Sequence, residues 1–163
     1  MTKFLRLLFV TVLLFAAAPA VSAKEMTAVA HAAVAKTPTQ QIQDTFDKWL
    51  DAVSSGSSDA VMKLYAKDAV LLPTLSPYVH NTPELRKQYF DAFTSKSDLK
   101  GVVNEEHIRV FGNTAVNSGL YTFTFTKDGE TIEVPARFSF VYRKTPHGWL
   151  IVDHHSSRLP EID

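Results

Sequence analysis

The chain has 163 residues, enough for one domain with a substantial core and too few for two. Lysine plus arginine and aspartate plus glutamate both number 17, with no block of like charge, which argues against nucleic acid or an acidic lipid surface as partner. Cysteine is absent, so disulfides, thiol chemistry, thiolate metal sites and iron–sulfur clusters are excluded.

Lys3 and Arg6 precede an almost unbroken apolar run over residues 7–18, and Val21, Ser22 and Ala23 put small residues at the cleavage positions. Residues 1–23 therefore read as a secretory signal peptide; the run is shorter than the roughly 20 apolar residues that span a bilayer. The expected mature protein begins at Lys24, is weakly acidic, resides in the periplasm or is secreted, and has no membrane attachment after cleavage. Residues 24–36 are dominated by alanine and read as a flexible leader.

The domain is expected over residues 37–160. Thr37, Pro38 and Gln40 form a helix start: a capping hydroxyl, a first-turn proline and a glutamine able to reach back. Ile42, Phe46, Trp49, Leu50 and Val53 then share one helical face, and Gly56 ends the helix. A shorter helix fits 58–65, burying Val61, Met62, Leu64 and Tyr65. A brief strand over 70–72 stops at Pro73, and 74–81 is a loop. Thr82, Pro83 and Glu84 open a third helix, with Leu85, Tyr89, Phe90 and Phe93 at helical spacing.

The C-terminal half of the chain reads as strand: 102–111, 115–126, 131–144 and a last strand from Trp149, divided by Gly112-Asn113, Asp128-Gly129 and Pro146-His147-Gly148. Three helices and then four antiparallel strands give an α+β domain, a curved sheet with helices on one face. Because such a sheet twists, the space between the layers forms a cone-shaped pocket whose mouth the last strands line.

Three segments carry a resemblance: Tyr89-Phe90-Asp91-Ala92-Phe93; Arg137-Phe138-Ser139-Phe140-Val141-Tyr142-Arg143-Lys144; and Gly148-Trp149-Leu150-Ile151-Val152-Asp153-His154-His155-Ser156-Ser157. With the order of elements, they resemble the nuclear transport factor 2-like (SnoaL-like) superfamily, and within it the association domain of calcium/calmodulin-dependent protein kinase II and its stand-alone bacterial relatives. The resemblance covers about residues 38–160. It implies a cone that pairs through its sheet into homodimers or larger rings and keeps a deep polar pocket, where the resembling domains carry arginines. It implies no kinase activity.

His154 and His155 are neighbours on a strand and point to opposite faces, so they do not chelate one ion together. His80, His107 and His147 lie elsewhere at no recognisable spacing, and no metal site is expected. One histidine of the pair is expected to face the pocket and the other a neighbouring subunit; the sequence leaves open which. Arg137 shares a face with Ser139 and Val141, opposite Ala136, Phe138, Phe140 and Tyr142. It either pairs with Asp153, Glu133 or Glu106 or awaits a ligand carboxylate or phosphate. Tyr121, Phe123 and Phe125 share a core face, with Tyr121 the one polar contributor.

Isomerases and cyclases on this fold need a carboxylate of raised basicity opposite an oxyanion donor. Asp153 is the nearest base and Tyr121 or Tyr142 the nearest donors, but Asp153 and His154 diverge along the strand. Ser156 and Ser157 lack a nucleophile elbow. The expectation is thus a homo-oligomerising domain that binds a small anionic molecule through Arg137, His154, His155, Ser156 and Tyr121, without catalytic residues or cofactor. The alternatives are an isomerase-, cyclase- or oxidoreductase-type enzyme on a small organic substrate, and pure assembly without a ligand.

Overall fold

The computed structural model describes residues 35–161. The signal-peptide reading and most of the alanine-rich leader lie outside them.

Helix α1, Pro38–Ser54, starts as its sequence dictates: Gln40 N donates to Thr37 Oγ1 at 3.2 Å, and Thr37 N donates to Gln40 Oε1 at 2.8 Å. Its buried face carries Ile42, Phe46, Trp49 and Val53. Helix α2, Ser58–Met62, is capped by Ser57. It ends three residues before the expected position, because the sheet captures the chain: Ile151 N donates to Leu64 O at 2.8 Å, and Tyr65 pairs with Ile151. Strand β1 is accordingly Tyr65–Leu72, longer than the short strand expected.

The first half of β1 is irregular, with four residues between the paired Tyr65 and Val70. Three of their four carbonyls are satisfied by one side chain that sequence reading passed over. Arg86 of helix α3, Pro83–Thr94, is 1% exposed; its Nη2 donates to Ala66 O at 3.0 Å and Lys67 O at 2.9 Å, and its Nη1 donates to Ala69 O. A planar, multiply donating guanidinium suits this task.

Strands β2 (Ser97–Phe111), β3 (Thr114–Lys127), β4 (Glu130–Thr145) and β5 (Gly148–Arg158) complete a sheet of order β1-β5-β4-β3-β2. The last four are antiparallel in succession, as expected, and β1 adds parallel to β5. The helices contribute to a largely aromatic core against one face: Phe46 meets Phe138 and Phe140, and Trp49 meets Tyr121, Phe123 and Phe140, at centroid distances of 5.0–6.3 Å.

Two bulges set which side chains enter the cone. On β2, Asn104 is an extra residue between Val103, opposite Tyr121, and Glu105, opposite Leu120. On β5, Val152 is extra between Ile151, opposite Tyr142, and Asp153, opposite Val141. An inserted residue reverses the alternation beyond it. Hence Trp149 and Ile151 are buried, and after the bulge His154 and Ser156 are the buried pair.

Candidate functional site

Helix α1, helix α3, residues 73–75 and the inner face of β3, β4 and β5 enclose a cavity. Aromatic side chains form its body, among them Trp49, Phe90, Tyr121 and Phe123. One wall is polar: Thr74, His154 and Ser156, with the hydroxyl of Tyr121. Among the described residues, no charged side chain other than the ionisable imidazole lines it.

Two hydrogen-bond chains order that wall. In the first, Trp49 Nε1–H donates to Tyr65 Oη at 3.1 Å, and the Tyr65 oxygen lies 2.8 Å from His154 Nδ1. Indole nitrogen only donates, and the arrangement that keeps the Tyr65 hydroxyl hydrogen paired has it donating to Nδ1, with the imidazole proton on Nε2. Phe140 stacks on the ring at 3.8 Å between centroids and Trp49 meets it edgewise at 5.2 Å. Nε2 is buried and, among the described residues, has no partner. Burial pushes the His154 pKa down to about 3, so the ring is neutral at ordinary pH.

In the second chain, Tyr121 O–H donates to Ser156 Oγ at 2.6 Å, and Ser156 Oγ is hydrogen-bonded to Thr74 Oγ1. Burial raises the pKa of Tyr121 and raises that of Tyr65 strongly, so both phenols stay protonated.

The expected site residues divide between the two faces. Tyr121, His154 and Ser156 meet at the cavity. Arg137 and His155 do not: both are exposed on the outer face, where Arg137 pairs with Ser157 and His155 with Ser139 along the ladder. None of Asp153, Glu133 or Glu106 forms an ion pair with Arg137; Glu106 instead accepts from Asn117 Nδ2 at 2.6 Å. The expectation that an anion is drawn into the pocket by Arg137 and His155 is therefore corrected. Strand alternation puts Arg137 opposite the buried Ala136 and Phe138, and the Val152 bulge turns His155 outward.

Asp153, the nearest base by sequence, is also on the outer face, beside His155 rather than the cavity, and partial burial raises its pKa. Among the described residues no group of three histidines or carboxylates is arranged to hold a metal. Sequence reasoning missed Tyr65, assigned to a helix, and Thr74, assigned to a loop. The signal for Tyr65 was a tyrosine next to Ala66, too short a pattern to separate helix from strand; Thr74 carried none beyond its place after the strand-ending Pro73.

The chain matches the calcium/calmodulin dependent protein kinase II association domain family over residues 38–160. Among solved structures, a Xanthomonas campestris protein named for that association domain is 38% identical, with a TM-score of 0.68, covering 90% of this chain and 95% of its own. The S. rosetta CaMKII hub is 22% identical at a TM-score of 0.67, covering 77% of this chain and 100% of its own. A Streptomyces avermitilis protein of the NTF2-like family, named for a dehydratase activity, shares the fold at 16% identity and a TM-score of 0.69, covering 75% of this chain and 97% of its own. No curated protein matches the chain. With the family matched across nearly the whole described domain and a relative at 38% identity, and with the fold shared by nuclear transport factor 2-like proteins, the chain belongs to the calcium/calmodulin-dependent protein kinase II association-domain family.

Proposed function

We propose that this chain is an exported, self-associating association-type module that holds a small organic molecule in its cone and does not turn it over. The observation that carries this reading is the division of labour across the sheet. The inner ends of β3 and β5 wall a cavity with Tyr121, Ser156 and His154, while the outer face of the same strands presents a mixed surface that no helix of the described domain covers.

On that outer face Val116 stands opposite Val141 and Ser118 opposite Ser139, with Leu120 beside Arg137, a combination of half-buried aliphatic and hydrogen-bonding groups suited to a second copy. The hub likeness and the association-domain family support self-association. Among the described residues no carboxylate lines the cavity, and the one imidazole there, His154, has its Nδ1 engaged by the Tyr65 hydroxyl, which supports binding over proton-transfer chemistry. Export rests on the sequence of residues 1–23.

Sedimentation velocity on residues 24–163 tests the assembly. A dimer or larger ring is expected at micromolar concentration, and Val141→Asp should shift it to monomer with the fold retained. A wild-type monomer under those conditions sinks the self-association reading. Mass spectrometry of the protein extracted from its host envelope tests export, with a mature start at Lys24 as the expected result; a retained Met1 overturns it.

A further inference from the structure

The cavity as it stands is too small for an organic molecule. Its space open to the centre of a water molecule is about 20 Å³, room for a water or two. The other linings belong to packed helix and sheet, so enlargement has to come from residues 73–75. There Pro73 ends the β1 ladder, and Leu75 borders the cavity while remaining 41% exposed. One side-chain hydrogen bond ties this segment to the cavity wall, Thr74 Oγ1 to Ser156 Oγ.

Hydrogen accounting at Ser156 gives that bond a direction. Its oxygen already accepts from Tyr121, so the arrangement that uses every buried hydrogen has Ser156 O–H donating to Thr74 Oγ1. Thr74, which is half-exposed, then turns its own hydrogen toward water. Ser156 thus holds one donated hydrogen, fixed in place by Tyr121, inside an aromatic enclosure without a charge.

We propose that residues 73–75 form a lid over the cavity, and that its ligand is a small uncharged ring bearing one acceptor oxygen, which displaces Thr74 Oγ1 and takes the Ser156 hydrogen bond. The aromatic walls supply the apolar contact, and the single polar exchange fixes orientation. An anion is disfavoured, because the enclosure offers no cation to offset its desolvation. This inference rests on the small-molecule reading above and specifies its chemistry.

The experiment is an NMR titration of the domain with phenol and with toluene, probes of matched size that differ in the oxygen. It compares wild type, Thr74→Val and Ser156→Ala, with dispersed spectra as the check on folding. Thr74→Val removes the latch and should raise the affinity for both probes about threefold or more. Ser156→Ala should raise toluene affinity similarly while lowering the phenol-over-toluene ratio about tenfold, the worth of one buried hydrogen bond. Because Ser156→Ala strands the Tyr121 hydroxyl, the double variant Ser156→Ala/Tyr121→Phe repeats the comparison with both partners removed. If Thr74→Val leaves both affinities unchanged, the lid is overturned; if the ratio survives the loss of Ser156, the acceptor-oxygen assignment is overturned. If neither probe binds any of the proteins, the cavity-binding reading itself falls.

Discussion

The Tyr65 hydroxyl lies 2.8 Å from His154 Nδ1 and joins the start of β1 to the inward side of β5. It also accepts from Trp49 of α1, so three elements converge on one buried phenol. Tyr65→Phe should cost about 1–3 kcal/mol, because it strands both the indole N–H and the imidazole acceptor in an apolar setting. Urea unfolding measures the loss; a change within error would show that neither partner depended on the hydroxyl.

The same imidazole makes stability depend on pH. Its folded pKa of about 3 is below the unfolded value of about 6.5, so between those limits the unfolded chain binds a proton that the folded one refuses. Above about pH 6.5 the contribution is level, and below it stability falls by up to about 1.4 kcal/mol per pH unit until the folded pKa is reached. Unfolding free energies measured from pH 7.5 to 4 should show this slope in wild type and lose that component in His154→Phe. Parallel profiles for the two proteins would refute it.

Arg86 is buried with three carbonyl partners and, among the described residues, no carboxylate bonded to it. Arg86→Lys keeps the charge but not the planar fork, and should cost about 2 kcal/mol or more as carbonyls of the irregular first half of β1 lose their donors. Hydrogen exchange should quicken first in the amides of β1. Equal protection in the variant would mean that the irregular segment holds its shape without the guanidinium.

Gly119 faces the β2 bulge so closely that a Cβ there would stand 1.9 Å from Glu105 O and 2.9 Å from the Phe138 ring. The first neighbour is backbone and cannot rotate away. Gly119→Ala should therefore destabilise by about 1–3 kcal/mol, the usual cost of overpacking. Thermal denaturation checks this, and an unchanged midpoint would show that the bulge can relocate freely.

Arg137 and His155 lie on the outer face proposed for assembly and away from the cavity proposed to bind a ligand. Arg137→Ala and His155→Ala should leave phenol and toluene titrations unchanged and should lower the stability of the oligomer on dilution. Sedimentation and NMR on the same samples decide it; lost probe binding with assembly intact would reverse the assignment of the faces.

Much of this protein is legible from side-chain order alone. The capped helices at Thr37 and Thr82 and the turns at Gly112 and Asp128-Gly129 are local matters, fixed by donors, acceptors and backbone freedom within a few residues. The inward run of Ala136, Phe138, Phe140 and Tyr142 comes from a period of two, and the structure keeps it because β4 is regular there. The α+β class follows from the same signals, whereas the resemblance lies in the segments 89–93, 137–144 and 148–157 with the order of elements.

The site depended on what the sequence does not mark. One extra residue at Val152 decides that His154 and Ser156, rather than His155 and Ser157, enter the cone, and a bulge arises from how neighbouring strands fit, not from the residue that occupies it. Tyr65 left its apparent helix because backbone pairing with β5 and a hydroxyl partner 89 positions away outweighed local preference. Thr74 acquired its role only by contact across the fold. Sequence alone determined which side chains share a strand and a period; tertiary packing decided which face met the cavity, because a single-residue shift in register exchanges inside for outside.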